Sequence, residues 1–169
     1  MYDREAVKPL WQELAAVGVT PLTTVAEVDL VLGQSQGTTL VIVNSVCGCA
    51  AGSARPGVAL ALQNKIIPDR LVTVFAGVDM EATARAREFM TGIPPSSPCV
   101  ALFKDARLVY MLERRHIEGN PADLIALHLR SAFDQACSRQ GPSVAPEVFA
   151  QTFGTGSQPD CSSTFKIKS

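Results

Sequence analysis

The residues with the clearest capacity for chemistry are Cys47 and Cys49, separated only by Gly48 at the end of the apolar run Leu40-Val41-Ile42-Val43-Asn44. A thiolate is a nucleophile and a soft metal ligand, and a dithiol can also cycle with its disulfide. At this spacing the two thiols close only through a small, strained ring. Such a disulfide is easily reduced, which suits a reactive site better than a structural staple. Gly48 carries no Cβ and admits backbone angles closed to other residues. The small residues Ala50-Ala51-Gly52 beyond the pair open a helix. Cys47 therefore stands where a strand gives way to a helix, and free N–H groups and the helix dipole there favour a thiolate. This assigns Cys47 as nucleophile and Cys49, further into the first turn, as the resolving thiol.

Two other readings of the pair stay open. Small buried thiols also fill cores, and two thiolates could bind Cu(I) or serve only to sense oxidation. Four-coordinate zinc needs two further ligands, and His116 and His128 lack ligand spacing. No metal or cofactor is assigned. The second feature is Ser97-Pro98, at the end of Pro94-Pro95-Ser96-Ser97-Pro98 and just ahead of a buried strand. An X-Pro step there is a candidate cis peptide. A cis bond would turn the preceding backbone outward to pair with an extended substrate. The alternative is an ordinary proline-rich turn. Arg55, after the dithiol, either binds a carboxylate of a small thiol or holds the fold by a salt bridge. Cys99 adds a thiol beside the proline loop with nothing to activate it, and Cys137 and Cys161 read as spectators.

The setting follows from composition. A chain of 169 residues supports one domain with a proper core. Its 47% apolar and 18% charged content is that of a globular protein. A formal net charge of −1 without a basic stripe gives no reason to expect nucleic acid or an anionic membrane as partner. The polar start Met1-Tyr2-Asp3-Arg4-Glu5 lacks the pattern of a signal peptide, and no stretch reads as a membrane span. Cytoplasm is the default, where thiols stay reduced and tend to be catalytic, metal-binding or core residues. Five cysteines, an odd number, argue against a disulfide framework.

The elements that must hold these residues read in order. Apolar positions Val7, Leu10, Trp11, Leu14 and Ala15 predict a helix over 3–17. A second spans 25–32 with Thr23 or Thr24 as cap and Glu27 in the first turn. A fully apolar strand over 39–44 leads to the dithiol, and a helix over 50–65 follows, bent at Pro56-Gly57. A buried strand over 71–76 and a helix over 81–90 capped by Asp79 come next. Strands over 99–104 and 108–112 form a hairpin about Asp105-Ala106-Arg107. Asn120-Pro121-Ala122-Asp123 starts a helix running to about Cys137, with Leu124, Ile125, Leu127, His128 and Leu129 as its apolar side. This order predicts an α/β fold: a central mixed four-stranded sheet with helices on both faces and extra N-terminal helices. Residues 1–137 form its domain, and 138–169 form an extended Gly/Pro/Ser-rich tail packed on or trailing it.

Strand, dithiol, kinked helix and X-Pro step ahead of a hairpin together resemble the thioredoxin fold, with Cys-Gly-Cys in place of two intervening residues. Val43-Asn44-Ser45-Val46-Cys47-Gly48-Cys49-Ala50-Ala51-Gly52, then Ala54-Arg55-Pro56, resembles the bacilliredoxin family. So do Val72-Thr73-Val74-Phe75-Ala76-Gly77, the Pro94–Pro98 run and His116-Ile117-Glu118-Gly119, over residues 5–137. The resemblance implies a cytosolic thiol–disulfide oxidoreductase that removes a low-molecular-weight thiol such as bacillithiol from S-thiolated cytosolic proteins, with weak disulfide isomerase activity. With the readings above, Cys47 and Cys49 are the catalytic candidates, and Gly48, Ser97, Pro98 and Arg55 the substrate-binding ones. A general protein disulfide reductase or isomerase is the alternative enzyme, and a metal-binding or redox-sensing module the non-enzymatic one. His116 and Glu118 match the family motif, either in catalysis or in shaping their turn. Cys99 departs from it, standing where serine is expected.

Overall fold

The computed structural model describes residues 1–34 and 36–154. Its elements are α1 (Lys8–Ala15), β1 (Thr20–Pro21), α2 (Val25–Leu32), β2 (Thr38–Asn44), a π-helical turn (Ala50–Ala54), α3 (Arg55–Ala61), β3 (Ile66–Ile67) and β4 (Arg70–Phe75). Then come α4 (Met80–Phe89), β5 (Cys99–Lys104), β6 (Arg107–Leu112), α5 (Arg114–Ile117), α6 (Ala122–Ala136), β7 (Arg139–Gln140) and α7 (Pro146–Phe153).

The main sheet runs β1-β4-β2-β5-β6. β1 and β2 both pair parallel to β4, while β5 is antiparallel to both β2 and β6. Two parallel crossovers followed by a hairpin make the thioredoxin-like arrangement. The class is as expected, with five strands rather than four. The added strand, Thr20–Pro21, pairs with Val72 and Thr73 and is too short to show any periodicity in sequence.

Every residue of β2 is buried because the sheet is covered on both faces. Leu40 and Ile42 point into one core with Leu14, Val58, Ile125, Leu129 and Phe133 from α1, α3 and α6, and with Leu62 just after α3. Val41 and Val43 point into the other with Val28, Leu32, Ala82 and Ala86 from α2 and α4. The Thr24 hydroxyl caps α2, accepting from the Glu27 N–H at 3.2 Å. The Glu27 carboxylate accepts in return from Thr24 N at 3.0 Å. The two bonds make a reciprocal capping box.

Several sequence expectations shift. Asp79 makes no capping hydrogen bond, because its carboxylate pairs with Arg4. On α6 the buried set is Ile125, Ala126, Leu129, Ala132 and Phe133, while Leu127 is 62% exposed and His128 also faces outward. The helix after the dithiol ends at Ala61, not Lys65. The segment after residue 137, read as extended, carries α7, whose Phe149 and Phe153 stack on each other and pack against the α3–α6 core. Cys161 lies outside the described residues.

Candidate active site

Three strand ends meet at the dithiol. β2 delivers Asn44 and Ser45, and its Val43 pairs with Cys99, so the antiparallel register sets the start of β5, and Pro98 before it, beside the end of β2. β6 returns with Leu112 opposite Val100, so Glu113 and Arg114 emerge at the same edge. The Ser97–Pro98 bond is cis.

The backbone is already helical at Gly48 and Cys49, so Cys47 stands just ahead of the first turn. Its carbonyl accepts from Ala50 N at 3.1 Å and Ala51 N at 3.3 Å. The π-helical turn that follows has a cause in Pro56. Proline has no N–H to complete the α-helical ladder, and the wider turn at Ala50–Ala54 takes up the mismatch before α3 resumes regular geometry.

The Cys47 Sγ lies 2.7 Å from Cys49 Sγ and 3.1 Å from Ser45 Oγ, with both cysteines half-buried thiols. Burial pushes the Cys47 thiol up. This is outweighed by hydrogen bonds from Cys49, Ser45 and the Ala50 backbone N–H together with the charge of Arg114. Bonds to the thiolate and a nearby cation favour the charged form, so Cys47 is held below the ordinary cysteine value. Cys49 moves the other way. Burial, its hydrogen bond to Cys47 and the neighbouring thiolate charge all raise it, against a smaller opposing effect of Arg114. The two thiols are thus shifted in opposite directions, Cys47 downward and Cys49 upward.

Gly48 is exposed, and a Cβ built on it meets no protein atom within 4 Å. Its φ is not in the left-handed region, so the backbone freedom expected of it is not used here.

Arg55 is corrected in position. It is 2% exposed, so it does not reach a substrate at the surface. Its Nε donates to Glu13 Oε2 at 2.8 Å, and its Nη1 donates to Asn44 Oδ1 and the Ser45 carbonyl, both at 3.2 Å. Asn44 in turn accepts from Ser45 N at 2.9 Å and donates to the Leu10 carbonyl at 3.2 Å. This buried network holds the bend between β2 and Cys47 from beneath, the salt-bridge alternative of the sequence.

Two side chains that bear on the dithiol had no sequence signal strong enough to single them out. Ser45 sits within the quoted motif, but its hydroxyl is aimed at Cys47 only because Asn44 fixes its backbone. Arg114 is far along the chain and arrives by the β5–β6 register. Its backbone N–H donates to Ser96 Oγ and its Nη1 to the Ser97 carbonyl, each at 3.4 Å.

The remaining thiols stand apart. Cys99 is 1% exposed and packs into the α2–α4 core, on the sheet face opposite the dithiol helix, and burial pushes its thiol up to about 11. Cys137 is also raised by burial, and its contact with Thr38 puts it at the opposite end of β2. His116 Nδ1 accepts from Glu113 N at 3.0 Å, and Glu118 pairs with Arg114, so both shape the α5 turn. Among the described residues no group of three or more His, Cys, Asp or Glu is arranged to hold a metal. Among them, too, no helix is long and apolar enough to cross a membrane.

Residues 2–137 match a family described as Disulphide isomerase. A bacilliredoxin of Cytophaga hutchinsonii is 50% identical over 135 residues, covering 80% of this chain and 99% of its own. The chain belongs to the bacilliredoxin family. A bacilliredoxin of Salinibacter ruber is 48% identical over 164 residues, covering 90% of this chain and 96% of its own. One from Staphylococcus aureus is 47% identical over 140 residues, covering 83% and 96%. Among solved structures, oxidised mitochondrial thioredoxin 3 of Saccharomyces cerevisiae superposes with a TM-score of 0.48 at 16% identity, covering 72% of this chain and 98% of that one.

Proposed function

We propose that this protein is a cytosolic thiol–disulfide oxidoreductase that frees proteins from mixed disulfides with a low-molecular-weight thiol such as bacillithiol. The observation that carries this reading is the opposite shift of two thiols 2.7 Å apart at the mouth of a helix. In the first step the Cys47 thiolate attacks the small-thiol sulfur of the mixed disulfide. A bond forms between Cys47 Sγ and that sulfur, the original S–S bond breaks, and the protein sulfur leaves as a thiolate that takes a proton from water. The oxidation level is passed on unchanged, as a disulfide on Cys47.

Cys49 then completes the cycle. Having lost its proton to solvent, it attacks Cys47 Sγ, expels the small thiolate and closes the Cys47–Cys49 disulfide, which an external dithiol or thiol must reduce. Ser45 and the Ala50 N–H stabilise the Cys47 thiolate before attack and when it leaves. Gly48 and the Ser97–Pro98 edge flank the pair and offer backbone to the substrate. Isomerase action on protein disulfides, favoured by the description of the matching family, would use the same attack by Cys47 on a protein–protein disulfide.

The test is a trap. Cys49→Ala, in a Cys161→Ser background, is exposed to a bacillithiolated protein and examined by mass spectrometry. The expected result is a stable adduct of the small thiol on Cys47 and release of the free protein, with no adduct on Cys47→Ala. Trapping on Cys49 in the Cys47→Ala protein would reverse the roles. No adduct in either variant would refute the exchange reading for this substrate class.

A further inference from the structure

Two cations stand close to the dithiol, and they differ in what they are free to do. Arg55 is buried and held by Glu13, Asn44 and the Ser45 carbonyl. Arg114 has a side chain 45% exposed at the mouth of the site. Its side-chain contacts are long: 3.4 Å to the Ser97 carbonyl and 3.3–3.4 Å to Glu118. The Glu118 carboxylate is itself exposed and four residues away, a pairing that contributes little and yields readily to a competing carboxylate. A guanidinium presents five N–H donors in a planar fork suited to gripping a carboxylate through two of them. Arg114 is tied to the proline loop through Ser96 and Ser97, and its charge is felt at both Cys47 and Cys49.

We propose that Arg114 is the recognition group for a carboxylate on the small thiol of the mixed disulfide, and that by holding it Arg114 directs Cys47 to the small-thiol sulfur rather than the protein sulfur. The inference rests on the exchange reading above and adds to it the group that fixes which sulfur Cys47 strikes. Either sulfur can be struck in principle. Attack on the small-thiol sulfur forms the Cys47–small-thiol disulfide and releases the protein thiolate. Attack on the protein sulfur forms a Cys47–protein disulfide and releases the small thiolate. A carboxylate anchored on Arg114 sets its own sulfur next to Cys47 Sγ and leaves the bulky protein as the leaving group. Arg114 is the counterpart, at the surface, of the carboxylate-binding role that sequence had offered to Arg55.

Two measurements test this on Cys49→Ala/Cys161→Ser protein, with and without Arg114→Gln and Arg114→Lys. The first is the ratio of Cys47 alkylation rates by iodoacetate and by iodoacetamide. Both reagents consume the same thiolate, so the ratio cancels any change in Cys47 ionisation and reads only the attraction for a carboxylate. Arg114→Gln should lower this ratio roughly threefold to fivefold, the size of an exposed ion pair, and Arg114→Lys should restore most of it. The second uses one protein substrate carrying either 3-mercaptopropionate or 2-mercaptoethanol as its mixed disulfide, which differ chiefly in charge. Mass spectrometry reads the partition of Cys47 between small-thiol and protein adducts. For the carboxylate-bearing substrate Arg114→Gln should shift the partition toward the protein adduct by a similar factor, while the neutral substrate should be indifferent. An unchanged alkylation ratio overturns the carboxylate site. A lowered ratio with an unchanged partition overturns the choice of sulfur. A lowered ratio with no adduct of any kind on Cys47 refutes the exchange reading itself, and the choice of sulfur with it, while the carboxylate site stands.

Discussion

Cys47 and Cys49 carry the same side chain two residues apart, and their difference comes from what each can receive. Cys47 is met by the Ser45 hydroxyl, the Ala50 N–H and the Cys49 thiol, whereas Cys49 gives its proton toward Cys47 and is raised by burial. Ser45→Ala should therefore raise the Cys47 pKa and slow its alkylation near neutral pH, while leaving the rate at high pH, where all the thiol is ionised, close to that of the unaltered protein. A pH–rate profile with iodoacetamide checks this, and a slower rate at every pH would mean the hydroxyl acts on access rather than ionisation. The pair itself was legible in the sequence because its spacing is local. Ser45 as a hydrogen-bond donor and Arg114 as a neighbour were not, because both depend on strand register and on the buried Arg55 network, which no local pattern reports. Arg55 shows the same limit from the other side. Its type suggested either recognition or a salt bridge, and only packing decided between them.

At the scale of elements, the sequence was informative wherever a side chain dictates backbone geometry and silent where tertiary contact does. Pro56 announced an irregularity after the dithiol, found as the π-helical turn over Ala50–Ala54 and not at Pro56-Gly57 itself, and β2 announced burial on both faces through its unbroken apolar run. The exposed outer side of α6 was misread at Leu127 and His128, since a helix carrying apolar residues on most sides leaves its inward face to the neighbour that packs on it. That neighbour is α3, where Gly57 makes close approach possible: a Cβ there would lie 2.7 Å from Ile125 Cβ. Gly57→Ala should destabilise the protein by about 1–2 kcal/mol despite the better helix propensity of alanine, because the clash must be relieved by moving one helix. The opposite sign is expected in the β5–β6 turn. Asp105 and Ala106 hold φ of 51° and 64°. Ala106 has no side chain able to make that left-handed conformation comfortable. Ala106→Gly should stabilise by about 0.5–1 kcal/mol. Chemical denaturation of both variants measures the pair, and two shifts of the same sign would contradict the packing argument at Gly57 or the backbone argument at Ala106.

Across the whole molecule, the sheet gathers one end of β2, the start of β5 and the end of β6 at a single edge, and sets Cys99 and Cys137 away from it. Cys99 faces the second core and Cys137 lies at the far end of β2, so Cys47 and Cys49 are the two thiols that meet at the helix mouth. The element order made this fold class readable, and the family resemblance pointed to the same edge. The fifth strand and the α7 cover were hidden because one is two residues long and the other lies in a stretch of mixed composition. The central claim is that this edge lowers the Cys47 pKa and raises that of Cys49. Its most direct measurement is the pH dependence of alkylation at each cysteine, followed by mass spectrometry of the peptides. Cys47 should react first and with a midpoint below the roughly 8.5 of a free cysteine, and Cys49 with a midpoint above it. Alkylation of Cys49 first, or a Cys47 midpoint at or above that of free cysteine, would contradict the account.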